Sequence, residues 1–172
     1  MKKYALIVGL LVLTWQINAE TNNFKQNEIK LDAAYLLNKT VKVEYEHFLN
    51  DWSSVGAAAF YNFGKTEYQY YKTQLLATYR LYFGKQPVSG FFLEVNSGVA
   101  SGRHNDYGID IGEKSPLRIP YTSFGYGFAL GYKHYIPNPS VTLDLFFGLG
   151  RLFGEDSIGS YFRMGITVGK RF

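Results

Sequence analysis

Residues 123–136 read SFGYGFALGYKHYI. Phe124, Tyr126, Phe128, Leu130 and Tyr132 stand at every second position, and Gly125, Gly127, Ala129, Gly131 and Lys133 fill the places between them. A period of two puts one set on each face of a β-strand. The stretch is a strand with one large apolar face and one face of small residues, and it is longer than most strands of soluble proteins.

The same period recurs on both sides of it. Seven further runs alternate in this way: Glu28 to Leu37, with Ile29, Leu31, Ala33, Tyr35 and Leu37 on one face, then Val41 to Leu49, Val55 to Phe63, Gln74 to Phe83, Phe91 to Ala100, Val141 to Arg151 and Tyr161 to Phe172. The faces opposite the apolar ones carry Glu28, Lys30, Asp32, Lys42, Glu44, Glu46, Arg80, Glu94, Lys133, Asp144, Arg163 and Arg171, six acids and six bases. Glycine and alanine occupy many of the remaining positions on those faces. Short connections (50–53, 84–90, 137–140) alternate with longer ones (64–72, 101–122, 152–160), except at Asn38-Lys39, where a long connection is due and the link is tight.

Composition agrees with an all-β chain. Of 172 residues, 18% are aromatic and 19% charged, with 18 glycines and no cysteine. Abundant aromatics exclude disorder, and the missing cysteines exclude a disulfide scaffold and thiolate metal sites. Residues 1–19, MKKYALIVGLLVLTWQINA, have a basic start, a short apolar run and a small final residue, as a secretory signal peptide does. The run is too short for a membrane-spanning helix. Cleavage after Ala19 takes Lys2 and Lys3 and no acid, lowering the net charge of +4 by two. No basic stripe argues for nucleic acid. Residues 20–27 then form a short periplasmic segment, and 28–172 form the folded domain.

Two architectures share this alternation. A soluble sandwich or lipocalin-like barrel buries its apolar face; an outer-membrane barrel turns it to lipid and keeps the polar face inside. Glycine weakens a strand facing water but makes room in a crowded lumen. Aromatics gather near strand ends in two expected belts, one of Tyr35, Tyr61, Phe63 and Phe162, the other of Tyr45, Trp52, Phe83, Phe91, Tyr132 and Phe172. The chain ends on Phe172 with Val168, Ile166 and Met164 on the same face. The fold class expected is therefore all-β, an eight-stranded antiparallel up-and-down transmembrane β-barrel in the bacterial outer membrane with both termini periplasmic.

That ending is similar to the C-terminal signal which outer-membrane barrels present to the barrel-assembly machinery, so Phe172, Val168 and Ile166 are the expected assembly signal. Lys170 departs from the pattern, at a position where a lysine can reach the periplasmic water. The eight runs and alternating connections resemble the small OmpA/OmpX-type barrels. Segments 45–51 (YEHFLND), 79–85 (YRLYFGK) and 90–94 (GFFLE) also resemble a Bacteroidetes-type family of small outer-membrane barrels of unknown function. The resemblance spans nearly the whole mature chain and implies no catalytic residue.

An eight-stranded barrel is just wide enough for side chains to fill. The twelve charges must pair there, because an isolated buried ion costs several kcal/mol or more. Long side chains on the first four strands are expected to reach across to the glycine-rich wall of the last four and plug the lumen. The second alternative is a narrow channel, and the first is a lipid A acyl hydrolase or transferase, which needs a histidine with a serine and an acid. Lys133-His134-Tyr135-Ile136 resembles the lipid A deacylase pattern, but Ile136 stands where the nucleophilic serine belongs. His104 lies beside Ser101, Arg103, Asp106, Asp110 and Glu113 in the expected loop 101–122 and is the better candidate. No metal or other cofactor is expected. Expected loop contacts are Tyr68, Tyr70, Tyr71, Arg103, His104, Tyr107, Arg118 and Tyr121, facing lipopolysaccharide or an extracellular protein or glycan. The chain is expected to be a monomer without enzymatic activity, bound to outer-membrane lipids.

Overall fold

The computed structural model describes residues 25–37, 39–64, 71–106, 117–136, 140–154 and 159–172. Eight strands follow one another: β1 (Asn27–Asp32), β2 (Thr40–Asn50), β3 (Ser53–Asn62), β4 (Tyr71–Tyr82), β5 (Gly90–Asp106), β6 (Leu117–Tyr135), β7 (Val141–Phe153) and β8 (Ser160–Arg171). A five-residue helix, α1 (Ala33–Leu37), follows β1. Each strand pairs antiparallel with its neighbour, and β1 pairs with β8, so the sheet closes into an up-and-down barrel. Closure gives every strand a neighbour on each side, which matters for a chain this rich in β-formers.

The alternation sets the faces. From Pro120 to Leu130 on β6 and from Ser160 to Gly169 on β8, buried and exposed residues alternate. The buried set is the interior one: Lys133 on β6, Arg163 and Arg171 on β8, with glycines between. The exposed set is apolar: Leu130 is 64% exposed, Leu149 58% and Phe91 69%. Outward aromatics pack on each other, Phe91 edge-on to Tyr132, Phe147 edge-on to Phe162 and Tyr126 stacked on Phe153.

Three elements differ from the sequence expectation. The first run, expected to be one strand from Glu28 to Leu37, breaks at Asp32. The Asp32 carboxylate accepts from the backbone N–H groups of Ala34 (3.1 Å) and Tyr35 (3.4 Å), capping α1 at its N-terminus. Tyr35 therefore leaves the outer belt. Its ring lies edge-on to the inward Phe60 at 5.3 Å, with the Lys42 ammonium 5.7 Å from it. The helix also supplies the longer connection that the tight Asn38-Lys39 link lacked. Lys39, at φ 55°, turns the chain into β2.

The connection 101–122 is not a loop along its whole length. β5 and β6 run on together, pairing from Ser101↔Thr122 to Asp106↔Leu117. Arg103, His104, Arg118 and Tyr121 are thus strand residues, and Tyr121 is buried rather than offered to a partner. The loop between β3 and β4 is shorter too, since Tyr71 begins β4. At the opposite end the turn 84–89 folds under the barrel. Val88, at φ 48°, is fully buried there, its N–H donating to the Asp51 carbonyl at 2.7 Å.

Candidate functional site: the ion-paired interior

Inward positions of the strands carry the charges, because the outward positions took the apolar residues. All twelve charged residues named from the sequence lie inside, and all are buried. Their ion pairs join them into one network. Lys30 on β1 meets Glu44 at 3.3 Å, Asp144 on β7 at 2.8 Å, and Glu46. Arg80 on β4 reaches Glu44 at 2.6 Å, Glu94 at 2.7 Å, Asp144 at 3.2 Å and Glu46 at 3.4 Å. Lys133 on β6 meets Glu46 at 2.8 Å and Glu28 at 3.1 Å. Arg171 pairs with Glu28 at 3.1 Å, Lys42 with Asp32 at 3.3 Å, and Arg163 with Glu94 at 2.7 Å. Glu46 is the most heavily shared carboxylate, accepting also from Ser54 and Tyr82 hydroxyls.

Side chains do cross the lumen, from β1 and β4 to β7 and from β2 to β6. Charged chains are not the whole filling, however. Phe48, Tyr82, Val88, Phe92, Ala129 and Phe146 form an apolar cluster inside, and Ala100, Leu152 and Tyr161 form another. Much of this aromatic bulk comes from the glycine-rich half itself. A side chain at Gly150 would collide with the Tyr161 ring, and one at Gly165 with Asp32 and Phe146. Glycine is required at both places by close approach. The rings also carry cations on their faces: Arg171 over Phe48 at 4.4 Å, Arg80 over Phe92 at 4.7 Å, and Lys42 over Phe146 at 4.2 Å. Sequence reasoning passed over Phe92, Phe146, Tyr161 and Val88, although the first three stand at inward parity.

The carboxylates of Glu28, Glu46 and Asp144 come within 4.8 Å of one another, close enough to hold a metal. The Lys133 ammonium already lies 3.1 Å from Glu28, 2.8 Å from Glu46 and 4.0 Å from Asp144. An ammonium of the chain thus already stands among the three carboxylates, and a metal would have to displace it.

Outside the lumen, the apolar set of β8 is in place. Ile166 and Val168 are exposed on the outer face, and the Phe172 backbone pairs with Asn27 in both directions (2.9 and 3.3 Å). His47 Nδ1 lies 2.9 Å from the Asn27 side-chain oxygen, and His134 is exposed on the outer face near the turn-side rim. Tyr68, Tyr70 and Tyr107 lie outside the described residues, as do residues 1–24 with the expected signal peptide and Asp110 and Glu113 of the His104 grouping. So do the side chains of Tyr71, Arg103, His104 and Arg118.

No family model matches the chain, and no curated protein matches it. Among solved structures the chain is similar in fold to the N-terminal β-barrel domain of Pseudomonas aeruginosa OprF, at 18% identity over 86% of this chain and 98% of that chain, with a TM-score of 0.49. It is similar to the Yersinia pestis outer membrane protein Ail in a phospholipid bilayer nanodisc, at 16% identity over 87% and 100% of the two chains, with a TM-score of 0.46. Neisserial surface protein A is similar at 14% identity over 86% and 95%, with a TM-score of 0.48.

Proposed function

We propose that the chain is an outer-membrane β-barrel whose interior is a structural plug and whose work is done at its loop-side surface. The observation that carries this reading is the inversion of polarity. Six carboxylates and six cationic side chains are buried inside, while Leu, Phe, Met, Ile and Val residues cover the outside. A water-soluble barrel so built would waste its apolar area on solvent, at about 25 cal/mol per Å², and would bury its ions for nothing. In a bilayer the same arrangement is favourable outside, and the pairing offsets the desolvation inside. Strands β2 to β8 have 10 to 19 residues, enough for a tilted span of 9 to 11 residues.

The chain acts as a structural or surface-interaction protein. Outer-membrane lipids and lipopolysaccharide surround the wall, and an extracellular protein or glycan meets the loops. The signal peptide directs it across the inner membrane, the terminal Phe172 with Val168 and Ile166 is read by the barrel-assembly machinery, and both termini stay in the periplasm. Lateral pairing of an eight-stranded interior leaves no continuous water path. Purified barrel reconstituted in planar bilayers tests the plug: the expected result is no steady single-channel conductance, and a stable unitary current would contradict it. Lipid A mass spectra from cells with and without the gene test the non-enzymatic role, with identical acylation expected.

A further inference from the structure

The barrel wall has a notch on its loop side. β1 ends at Asp32, whose partner on β8 is Thr167. β8 continues to Ser160, paired with β7 throughout, so residues 160–166 have no strand on their β1 side. On the other bank β2 begins at Thr40 but meets β1 only from Val43. Among the described residues, the element in this notch is α1, which packs against both β2 and β8.

The notch opens at the height of the apolar band. Its β8 bank carries Phe162, Met164 and Ile166, all exposed on the outer face, and Leu37 of α1 is 87% exposed beside it. Just inside stand two cations, one from each bank: Lys42 on β2 and Arg163 on β8. Both lie over the same Phe146 ring, at 4.2 and 5.4 Å. Arg163 is 3% exposed, and among the described residues its carboxylate partner is Glu94 alone. Its Nη2 has no hydrogen-bond partner. Arg80, by contrast, meets four carboxylates. A buried guanidinium with a free edge offers N–H donors to a carboxylate or phosphate oxygen.

Resting on the membrane reading above, we propose that the notch is a lateral binding site for an anionic amphiphile from the surrounding lipid, an alkyl chain with a carboxylate or phosphate head. The head sits at Arg163 with Lys42 near it, and the chain leaves between α1 and the β8 bank, past Phe162 and Met164. The sequence holds the means of closing the site. Residues 33–37 continue the alternation of β1, and the β1–β8 register extended upward would pair Ala33 with Ile166 and Tyr35 with Met164. As a helix the segment lies across the notch without continuing the β1–β8 ladder; as a strand it would pair with β8 and seal it.

The test uses full-length mature barrel in nanodiscs of zwitterionic phosphatidylcholine, titrated with carboxyl-¹³C palmitate and with hexadecyl phosphate. The expected result is saturable binding of one or both at one molecule per barrel, weakened at least tenfold in R163Q, with hexadecanol unable to compete. Palmitate binding alone identifies a carboxylate site, and hexadecyl phosphate binding alone a phosphate site. A second variant leaves the ion network untouched. The double variant A33C/I166C, in a chain with no cysteine of its own, is expected to lose binding when oxidised and recover it on reduction. Absence of saturable binding by either anion, unchanged affinity in R163Q, or equal competition by hexadecanol would overturn the proposal. A barrel that requires detergent yet binds neither anion sinks the notch alone; one that is monodisperse in plain buffer sinks the membrane reading with it.

Discussion

Glu46 shows at single-residue scale how the interior is held. Its carboxylate is shared by Lys30, Lys133 and Arg80 and accepts from Ser54 and Tyr82. Removing one partner of a buried ion pair leaves the others uncompensated, which typically costs about 3–5 kcal/mol. E46A is therefore expected to destabilise the barrel by that order, read as a lower urea midpoint for unfolding from lipid vesicles. A loss below about 1 kcal/mol would mean the interior is wet enough to screen these charges. Gly150 makes the complementary point about volume. Gly150→Ala puts a methyl into the Tyr161 ring, and overpacking of this kind typically costs about 1–3 kcal/mol. The double variant Gly150→Ala/Tyr161→Leu should recover part of that loss in the same assay, since it removes the ring that the methyl strikes. The charged residues were legible in the sequence because parity alone assigns them to one face. Their partners were not, since Lys30 with Asp144 and Arg80 with Asp144 depend on which strands face each other across the closed sheet.

Among the elements, β1 and α1 carry the largest departure from the sequence pattern. Ile29, Leu31, Ala33, Tyr35 and Leu37 alternate without a break, so nothing in the period marks Asp32 as an end. What ends the strand is a local competition: an aspartate that can cap a helix and at the same time hold Lys42 at 3.3 Å. Asp32→Ala removes both. The expected loss is about 1 kcal/mol from the cap, together with the nearer of the two carboxylates of Lys42, which keeps Glu44 at 3.6 Å. In amide exchange, protection at Ala34 and Tyr35 should fall while that of β5 to β7 stays unchanged. The long arms of β5 and β6 were hidden for a different reason. Their pairing from Ser101 to Asp106 runs through Gly102, Arg103 and Pro120, which do not alternate in polarity, so the pattern reads as loop where the ladder continues. The remaining strands lay open to reading because each has one apolar face and one polar or small face, and β7 and β8 begin and end within a few residues of the alternating runs.

For the whole molecule, the account rests on which side of the wall meets hydrocarbon. Phe147 lies midway along β7 and is exposed on the outer face. Phe147→Arg should therefore cost about 2–4 kcal/mol in a bilayer, the depth-dependent penalty for a cation at the midplane, measured by urea unfolding from vesicles. A soluble barrel would tolerate the same change on its surface. The most direct measurement follows β7 residue by residue. Nitroxide labels placed singly at 143 to 149 in nanodiscs are expected to show high collision with oxygen and low collision with a water-soluble nickel chelate at Leu143, Leu145, Phe147 and Leu149. At Asp144, Phe146 and Gly148 the labels should show little collision with either reagent. Odd positions that collide with the nickel chelate as freely as a label in water would place the apolar face in solvent and contradict the account.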